Sequence, residues 1–228
     1  MIQDFATGVY LANGAEVSVA GFHYPTRMVV IALPCGGTLL WSPVAFSATL
    51  ANAVTTIGPV RHIVAPNSFH HLFMADWAAV FPDAHCHGAP GLAEKRPDLP
   101  LGDPLGTKPP APWAGVLDHL VVETRLTTEI IAYHKPSRTV ILTDLVQNFP
   151  RDWVRGWRRW VARADLLTAP RATVPRKFRI AIRDRASLRH AIDDLLSKGV
   201  DKVVMAHGAP ITTSATDALC HAFAWLKP

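Results

Sequence analysis

Residues 139–145 read Thr-Val-Ile-Leu-Thr-Asp-Leu, and residues 202–208 read Lys-Val-Val-Met-Ala-His-Gly. Each run is typical of a short buried strand, because apolar and β-branched residues follow one another almost without interruption. Each run also ends on one polar side chain, Asp144 in the first and His207 in the second. Because α/β folds commonly place ligand-binding groups at the carboxyl ends of such strands, both residues are candidates for a functional site.

Two more candidates follow another short apolar strand. It leads into Asn67 and Ser68, either of which is a good helix N-cap, so we predict a helix over residues 68–80 with His70 and His71 in its first turn. The positive end of the helix dipole disfavours protonated imidazole at that place. Both histidines are therefore expected to be neutral, which is the form that binds metal ions.

Each candidate also has a purely structural interpretation, which the residues alone leave open. Asp144 could cap a loop or pair with one of the arginines that follow Phe149. The two adjacent histidines could form local hydrogen bonds or face solvent, and His207 could be a core residue. His85 and His87 share one face of a predicted strand and could chelate a metal ion, but the sequence suggests no further ligand nearby.

Composition excludes several classes of protein. The chain has 228 residues, of which 49% are hydrophobic and 18% charged, so it is neither disordered nor dependent on disulfides for a core. Three cysteines without a C-x-x-C pair exclude a disulfide framework and favour a reducing compartment. The longest apolar stretch, residues 28–33, is far too short to span a bilayer, and residues 1–5 lack a basic signal-peptide region. We expect a cytoplasmic protein, residues 1–228 forming one domain.

The order of predicted elements indicates the architecture. A run of short strands precedes alternating strands and helices, a second group of strands and a helical C-terminal part. Seven of the nineteen prolines lie in residues 90–113, which we predict to be a long loop. This order predicts an α/β (α+β) fold in which two packed mixed sheets have helices on their outer faces.

Together these pieces resemble the metallo-β-lactamase superfamily, whose fold is an αββα sandwich. The resemblance covers nearly the whole chain: an opening meander, a His-bearing loop after a strand, a later strand ending in Asp, and a last strand ending in His-Gly. It is closer still to a branch known only as a domain of unknown function. The stretches that carry this closer likeness are Ile63-Val-Ala-Pro-Asn with His70-His71, Phe81-Pro-Asp-Ala, Pro136-Ser-Arg-Thr, Thr143-Asp-Leu and His207-Gly.

The first motif of that superfamily, His-x-His-x-Asp-His, is only half present. Alignment on His71 puts His70 where the motif has Asp, while Pro66 and Ser68 stand where it has its two earlier histidines. The superfamily's middle histidine has no counterpart either, since residues 123–129 read Glu-Thr-Arg-Leu-Thr-Thr-Glu. The site that the resemblance implies is therefore reduced.

The resemblance assigns the bridging aspartate to Asp144 and the final histidine to His207. It thus implies His70, His71, Asp144 and His207 as the candidate ligands of one zinc, iron or manganese ion, which is a donor set that suits an open mononuclear site. The leading hypothesis is a metal-dependent hydrolase of unknown substrate, with residues 90–113 overhanging the site. The alternative is a relic of the fold that binds a ligand or partner without catalysis.

One segment points to a different property. In residues 151–165, apolar side chains that include three tryptophans fall on one helical arc and five arginines on the opposite arc. We predict an amphipathic helix with its tryptophans buried, and leave a polyanion, a membrane surface or a homodimer partner open for the arginines; nucleic-acid binding is the weaker alternative. Residues 151–189 hold twelve Lys and Arg against three Asp and Glu, so this basic segment supplies all of the net charge of +5.

Overall fold

The computed structural model describes residues 1–168 and 170–227, which form two mixed β-sheets and flanking helices. The first sheet has six strands in sequence order, antiparallel from the first to the fourth and parallel from the fourth to the sixth. These strands are β1 Ile2–Ala6, β2 Val9–Val19, β3 Phe22–Ala32, β4 Thr38–Trp41, β5 Val60–Ala65 and β6 His85–Gly88.

The second sheet has four strands in the order β10-β9-β8-β7, of which only β10 and β9 are parallel. They are β7 Leu117–Glu123, β8 Thr128–His134, β9 Thr139–Leu142 and β10 Lys202–Met205. The register pairs Leu142 with Met205, so the loops that carry Asp144 and His207 leave adjacent strands at the same edge.

The described helices are short; six lie between strands in the sequence and the seventh follows β10. They are α1 Ala48–Thr55, α2 Met74–Val80, α3 Leu92–Lys95, α4 Arg158–Ala164, α5 Arg176–Ala181, α6 Arg185–Ser197 and α7 Ala215–Phe223, followed by a 3-10 turn at Ala224–Leu226. Among the residues described, no helix has both the length and the apolar character needed to cross a bilayer.

Alternation of side chains along the strands builds three apolar layers. Val29 and Ile31 of β3 face the core between the two sheets, whereas Met28 and Val30 face α1 and α2 on the outer side. In β9, Ile141 faces the same inter-sheet core and its neighbours face α5, α6 and α7. This arrangement confirms the predicted sandwich of two mixed sheets with helices outside.

The helix predicted over residues 68–80 begins only at Met74. Residues 68–73 form turns instead, because the Asn67 side-chain oxygen accepts the backbone N–H groups of Phe69 and His70 at 2.9 and 3.0 Å. A local side-chain turn of this kind competes with the helix. The Asn67 side chain therefore accepts the following backbone N–H groups as predicted, but it stabilises a turn instead of a helix N-terminus.

The Pro-rich loop predicted over residues 90–113 is present, with the short helix α3 inside it. Its apolar residues do not overhang the site. Trp113 is fully buried in the core between the sheets together with Leu105, and of this loop only Lys95 lines the main pocket. The expectation that the loop overhangs the site as a substrate wall or lid is therefore met only by Lys95, because burial of the apolar side chains holds the loop against the body of the protein.

The prediction of one amphipathic helix over residues 151–165 is only half right. The helix begins at Arg158, because Gly156 adopts a left-handed backbone (φ +62°) that interrupts it. Within the helix only Ala162 is buried, whereas Trp157 and Trp160 are 63% and 57% exposed. Of the apolar arc that the pattern assigned to the core, Trp153 and Val154 pack against the cluster around Phe22 and Phe149, whereas Trp157, Trp160 and Val161 lie in solvent.

Substitution of Gly208 tests how closely the backbone packs at the edge of the second sheet. Its φ is +84°, and a Cβ atom placed on it would lie 2.5 Å from the backbone oxygen of Asn148. Gly36 has nearly the same φ, +82°, with nothing within 4 Å of the corresponding position. We expect Gly36→Ala to lower the free energy of unfolding in urea by about 1 kcal/mol and Gly208→Ala by about 3 kcal/mol, since only the second adds a backbone clash. Equal losses of unfolding free energy in the two variants would show that the loop after β10 moves to accommodate the added Cβ atom.

Candidate metal site

Three loops bring His70, Asp144 and His207 together at the carboxyl ends of β5, β9 and β10. Nε2 of His70 lies 3.1 Å from one oxygen of Asp144, and Nε2 of His207 lies 3.6 Å from the other. One donor atom from each residue lies within 4.8 Å of the others. These three are the group of metal-binding side chains that stands out among residues 1–168 and 170–227.

Both imidazole rings are held by their Nδ1 atoms. Nδ1 of His207 donates to the backbone oxygen of Pro25 at 2.6 Å, and Nδ1 of His70 lies 2.7 Å from the hydroxyl of Ser42. In metal sites, a hydrogen-bond partner on one ring nitrogen orients the histidine so that its other nitrogen can bind the metal. Here they direct both Nε2 atoms toward Asp144.

A buried carboxylate fixes the loop that carries Asp144. Glu129 of β8 is 1% exposed and accepts the backbone N–H groups of Thr143, Asp144 and Leu145 at 2.8, 3.0 and 3.1 Å. The side-chain amide of Asn67 donates to Asp144 at 2.8 Å, which ties this loop to the loop that carries His70. The position of Asp144 is therefore set by groups from both sheets.

The electrostatics of the cluster are strongly coupled. Burial lowers the pKa of His207 to about 4, so its ring is neutral at pH 7. Burial acts in the same direction on His70, but attraction to Asp144 outweighs it and raises the pKa of that histidine. Burial would raise the pKa of Asp144, yet the two histidines hold it well below its usual range. Burial and the charge of Asp144 raise the pKa of Glu129 to about 7.

The donor set fits a metal ion. Because the Nδ1 proton of His207 is donated to Pro25, Nε2 of the neutral ring carries a lone pair, and this lone pair faces a carboxylate oxygen of Asp144. Two acceptors in this position repel each other, and a metal cation bound by both would remove this repulsion. Two imidazole nitrogens and a carboxylate are ligands that suit zinc, iron and manganese.

The cluster lies in a pocket of about 390 Å³. Its walls are mainly apolar, and two lysines, Lys95 and Lys177, are also among its lining residues. Apolar side chains that line it include Val17, Tyr24, Leu72, Phe73, Leu126 and Phe178. A mainly apolar pocket with a few convergent polar groups is the usual form of a small-molecule site.

The structure separates the two adjacent histidines that the sequence assigned to one site. His70 belongs to the cluster, and attraction to Asp144 raises its pKa, which is opposite to the direction expected from the helix dipole. His71 lines the same pocket but lies outside the cluster. Nδ1 of His71 accepts a hydrogen bond from Arg96 at 2.8 Å, and Arg96 in turn pairs with Asp98. Alignment on the superfamily motif favoured His71, but the turn closed by Asn67 directs the preceding residue inward.

Three residues that shape the site were not predicted from the sequence: Ser42, Asn67 as a partner of Asp144, and Glu129. The sequence held one signal for Glu129. It is an acidic residue inside a predicted strand, and Ile130 and Ile131 follow it directly. Nothing in the sequence marks Ser42, which directly follows β4 and has a left-handed φ of +58°.

His85 and His87 lie in a separate group of histidines at the start of β5 and β6. Nδ1 of His62 lies 3.2 Å from Nε2 of His87, and the ring of His62 stacks on that of His85. Trp113 packs edge-on against both His62 and His87. This packing around an indole indicates a structural role for the pair that the sequence offered as a chelate.

Comparison with solved structures gives the class of protein. The chain is similar over its whole length to a metallo-β-lactamase from Pontibacter korlensis (14% identity, 98% of that chain covered, TM-score 0.63) and to one from Hirschia baltica (12%, 98%, 0.65). It is also similar to FIM-1 from Pseudomonas aeruginosa in its mono-zinc form (12%, 96%, 0.63). At these identities the likeness establishes the metallo-β-lactamase fold and nothing finer.

Residues 15–158 match the family described as a domain of unknown function, DUF4336. The match covers more than half of the chain, so the protein belongs to this family, a divergent branch of the metallo-β-lactamase fold. A search among curated proteins found no match.

The role of Glu129 can be tested without any substrate. Glu129→Gln offers one acceptor oxygen and an N–H₂ group to three backbone donors, so we expect the free energy of unfolding to fall by about 2 kcal/mol or more. Urea denaturation followed by circular dichroism measures this loss. Glu123→Gln, at an exposed position of the preceding strand, is the control and should change little. Equal free energies of unfolding for the two variants would show that Glu129 does not stabilise the loop that carries Asp144.

Buried histidines outside the site make a pH-dependent prediction. Burial lowers the pKa values of His62, His87 and His134 from 6.5 to about 4. Between these pH values the unfolded chain binds protons that the folded protein does not, so the free energy of unfolding should decrease as the pH falls from 6.5 toward 4. In His134→Gln the protein should take up about one proton fewer on unfolding near pH 5 than the native chain does. His221→Gln, at an exposed position, is the comparison variant, and equal proton uptake by the two variants would contradict this expectation.

Proposed function

We propose that the protein is a metal-dependent hydrolase in which Nε2 of His70, the carboxylate of Asp144 and Nε2 of His207 hold one metal ion. The proposal rests on one observation: the lone pair on Nε2 of His207 faces a carboxylate oxygen of Asp144 at 3.6 Å. A cation bound by both acceptors would remove their repulsion. The pocket around this group and the metallo-β-lactamase fold support it. Zinc is the first candidate, with iron and manganese as alternatives.

The protein's own residues would bind the substrate and orient it. A bound divalent ion would lower the pKa of a coordinated water and so supply a hydroxide nucleophile. Burial and Asp144 raise the pKa of Tyr24 to about 12, so its hydroxyl in the pocket wall stays protonated and can donate a hydrogen bond. Lys95 and Lys177 would attract an anionic part of the substrate, while Leu126 and Phe178 exclude water from the pocket.

The site we propose is mononuclear. The positions where the superfamily has its other histidines hold Pro66 and Ser68, and in the part of the chain that the structure describes His70, Asp144 and His207 form one group of potential ligands. The pocket volume suits a small molecule. Three free cysteines, two of them exposed, suit the reducing conditions of the cytoplasm, where we place the protein.

A second candidate function rests on a specific chain of hydrogen bonds. The Ser42 hydroxyl lies 2.7 Å from His70, and His70 lies 3.1 Å from Asp144, which is the connectivity of a nucleophile, a base and an orienting acid. Pro43 follows Ser42 and has no backbone N–H, so the amide that usually stabilises the oxyanion is absent from that position. The metal-dependent reaction therefore fits the site better. A relic of the fold that binds without catalysis is the remaining alternative.

Metal analysis of the purified protein separates these functions. Inductively coupled plasma mass spectrometry should find about one zinc, iron or manganese ion per chain after growth with added metals. His207→Ala and Asp144→Asn should lose this metal, because each removes one of three ligands. His71→Ala is the matched control and should retain it, since that ring contacts Arg96.

Activity is tested on chromogenic esters, thioesters, lactones and phosphodiesters, with and without a chelator. We expect hydrolysis of at least one class that the chelator abolishes and added metal restores. A chain that binds no metal under these conditions contradicts the proposal. Labelling of Ser42 by a fluorophosphonate in the metal-free protein would favour the second candidate.

A further inference from the structure

A surface next to the helix α4 combines exposed aromatic side chains with arginines. Trp157 and Trp160 are 63% and 57% exposed, and Val161 is 45% exposed. We call this the Arg-Trp surface, and it consists of Arg151, Arg155, Trp157, Arg159, Trp160, Val161 and Arg163. An exposed apolar group of this kind, with charged neighbours around it, marks an interaction site.

The arginines of this surface lack acidic partners. Elsewhere, Arg96, Arg138 and Arg189 each pair with an aspartate. Among residues 1–168 and 170–227, none of the four arginines of the Arg-Trp surface has a carboxylate within 4.0 Å, not even that of Asp152, which follows Arg151 in the sequence. Asp165, two residues after Arg163, pairs with Lys177. The surface therefore keeps an uncompensated positive charge.

Three of these guanidinium groups surround a hollow. Arg151, Arg159 and Arg163 line a cavity of about 440 Å³ together with Trp160 and Thr168. A planar guanidinium with several donors suits phosphate oxygens, and three of them around one cavity suit a phosphate group. The ligand chemistry that the hollow fits is thus a phosphoester.

The tryptophans are held outward by the packing of the segment. Ala162 is the buried residue of α4 and packs against Phe22, Phe149 and Leu167. Trp153, half-buried, stacks on Phe149 with ring centroids 3.8 Å apart and fixes the start of the segment. The exposed rings are therefore a feature of a rigid face.

We propose that the Arg-Trp surface docks the protein on an anionic phospholipid bilayer, with a headgroup phosphate in the hollow between the arginines. Tryptophan and arginine are suited to the interface of a bilayer, where the indole ring enters the headgroup region and the guanidinium binds phosphate. Val161 adds an aliphatic side chain that lipid can bury.

A single-stranded nucleic acid fits less well, because the indole faces are already covered. The guanidinium of Arg158 lies 5.0 Å from the ring centroid of Trp157, and those of Arg159 and Arg163 lie 4.8 and 5.7 Å from that of Trp160. Bases would need these faces for stacking, whereas lipid contacts the ring edges as well.

The surface adjoins the mouth of the main pocket. A Cβ atom on Gly21, at the tip of the β2–β3 hairpin, would lie 2.9 Å from Arg158, so the hairpin tip rests against α4. Val19 of the same tip is 56% exposed and lines the pocket. Docking would therefore bring the pocket close to the lipid, although the proposal is independent of the function assigned to the pocket.

Vesicle sedimentation tests the proposal with the full chain. We expect binding to vesicles of phosphatidylcholine with about 30% phosphatidylglycerol at about 50 mM salt, and little binding to phosphatidylcholine alone. Arg159→Gln/Arg163→Gln should weaken binding about 25-fold, about fivefold for each arginine. Trp157→Ala/Trp160→Ala should also weaken it, with loss of the fluorescence blue shift that accompanies insertion of tryptophan into the interface.

The charge-matched control is Arg61→Gln/Lys108→Gln, which removes two exposed positive charges outside the surface and should bind like the native chain. All these positions are exposed, so the variants should fold, as circular dichroism can verify. Equal weakening by the control would reduce the effect to net charge and overturn the proposal. So would binding to a single-stranded oligonucleotide but not to vesicles, or a dimer in light scattering that Trp157→Ala/Trp160→Ala dissociates.

Discussion

The site depends on one buried carboxylate. Glu129 accepts three consecutive backbone N–H groups from the loop after β9. These donors favour the charged carboxylate and partly offset its burial and the charge of Asp144, which together raise its pKa to about 7. Asp144 is thereby presented at a fixed point, where Asn67 reaches it from the first sheet. The two sheets are thus joined at the place where the candidate ligands meet.

Once Asp144 is fixed, the histidine orientations determine what the site can bind. Pro25 takes the Nδ1 proton of His207, and Ser42 occupies Nδ1 of His70, so that both Nε2 atoms face the carboxylate. A hydrogen bond satisfies the pair formed by His70 and Asp144, but it leaves the lone pair of His207 opposite an acceptor. This imbalance, more than the fold, is the observation on which the proposed metal ion rests.

Sequence predicted the fold, and it predicted Asp144 and His207 as candidates, because a buried strand that ends on one polar residue is a local pattern. It did not distinguish His70 from His71, since the choice depends on a turn that the Asn67 side chain closes. The role of Glu129 could not be predicted, because its three partners lie 14 to 16 residues away in the sequence. The helix over residues 151–165 was overextended because periodicity does not register the left-handed Gly156. The exposure of Trp157 and Trp160 was not predicted either, because helical spacing assigned both side chains to the core.

The most direct measurement is a crystal structure of the zinc-loaded protein, with data collected on both sides of the zinc absorption edge. We predict one anomalous peak within about 2.0–2.2 Å of Nε2 of His70, Nε2 of His207 and an oxygen of Asp144, with Glu129 still bonded to the Asp144 loop. A zinc peak between His62, His85 and His87, or no peak at the cluster while His70 stays bonded to Asp144, would contradict the account.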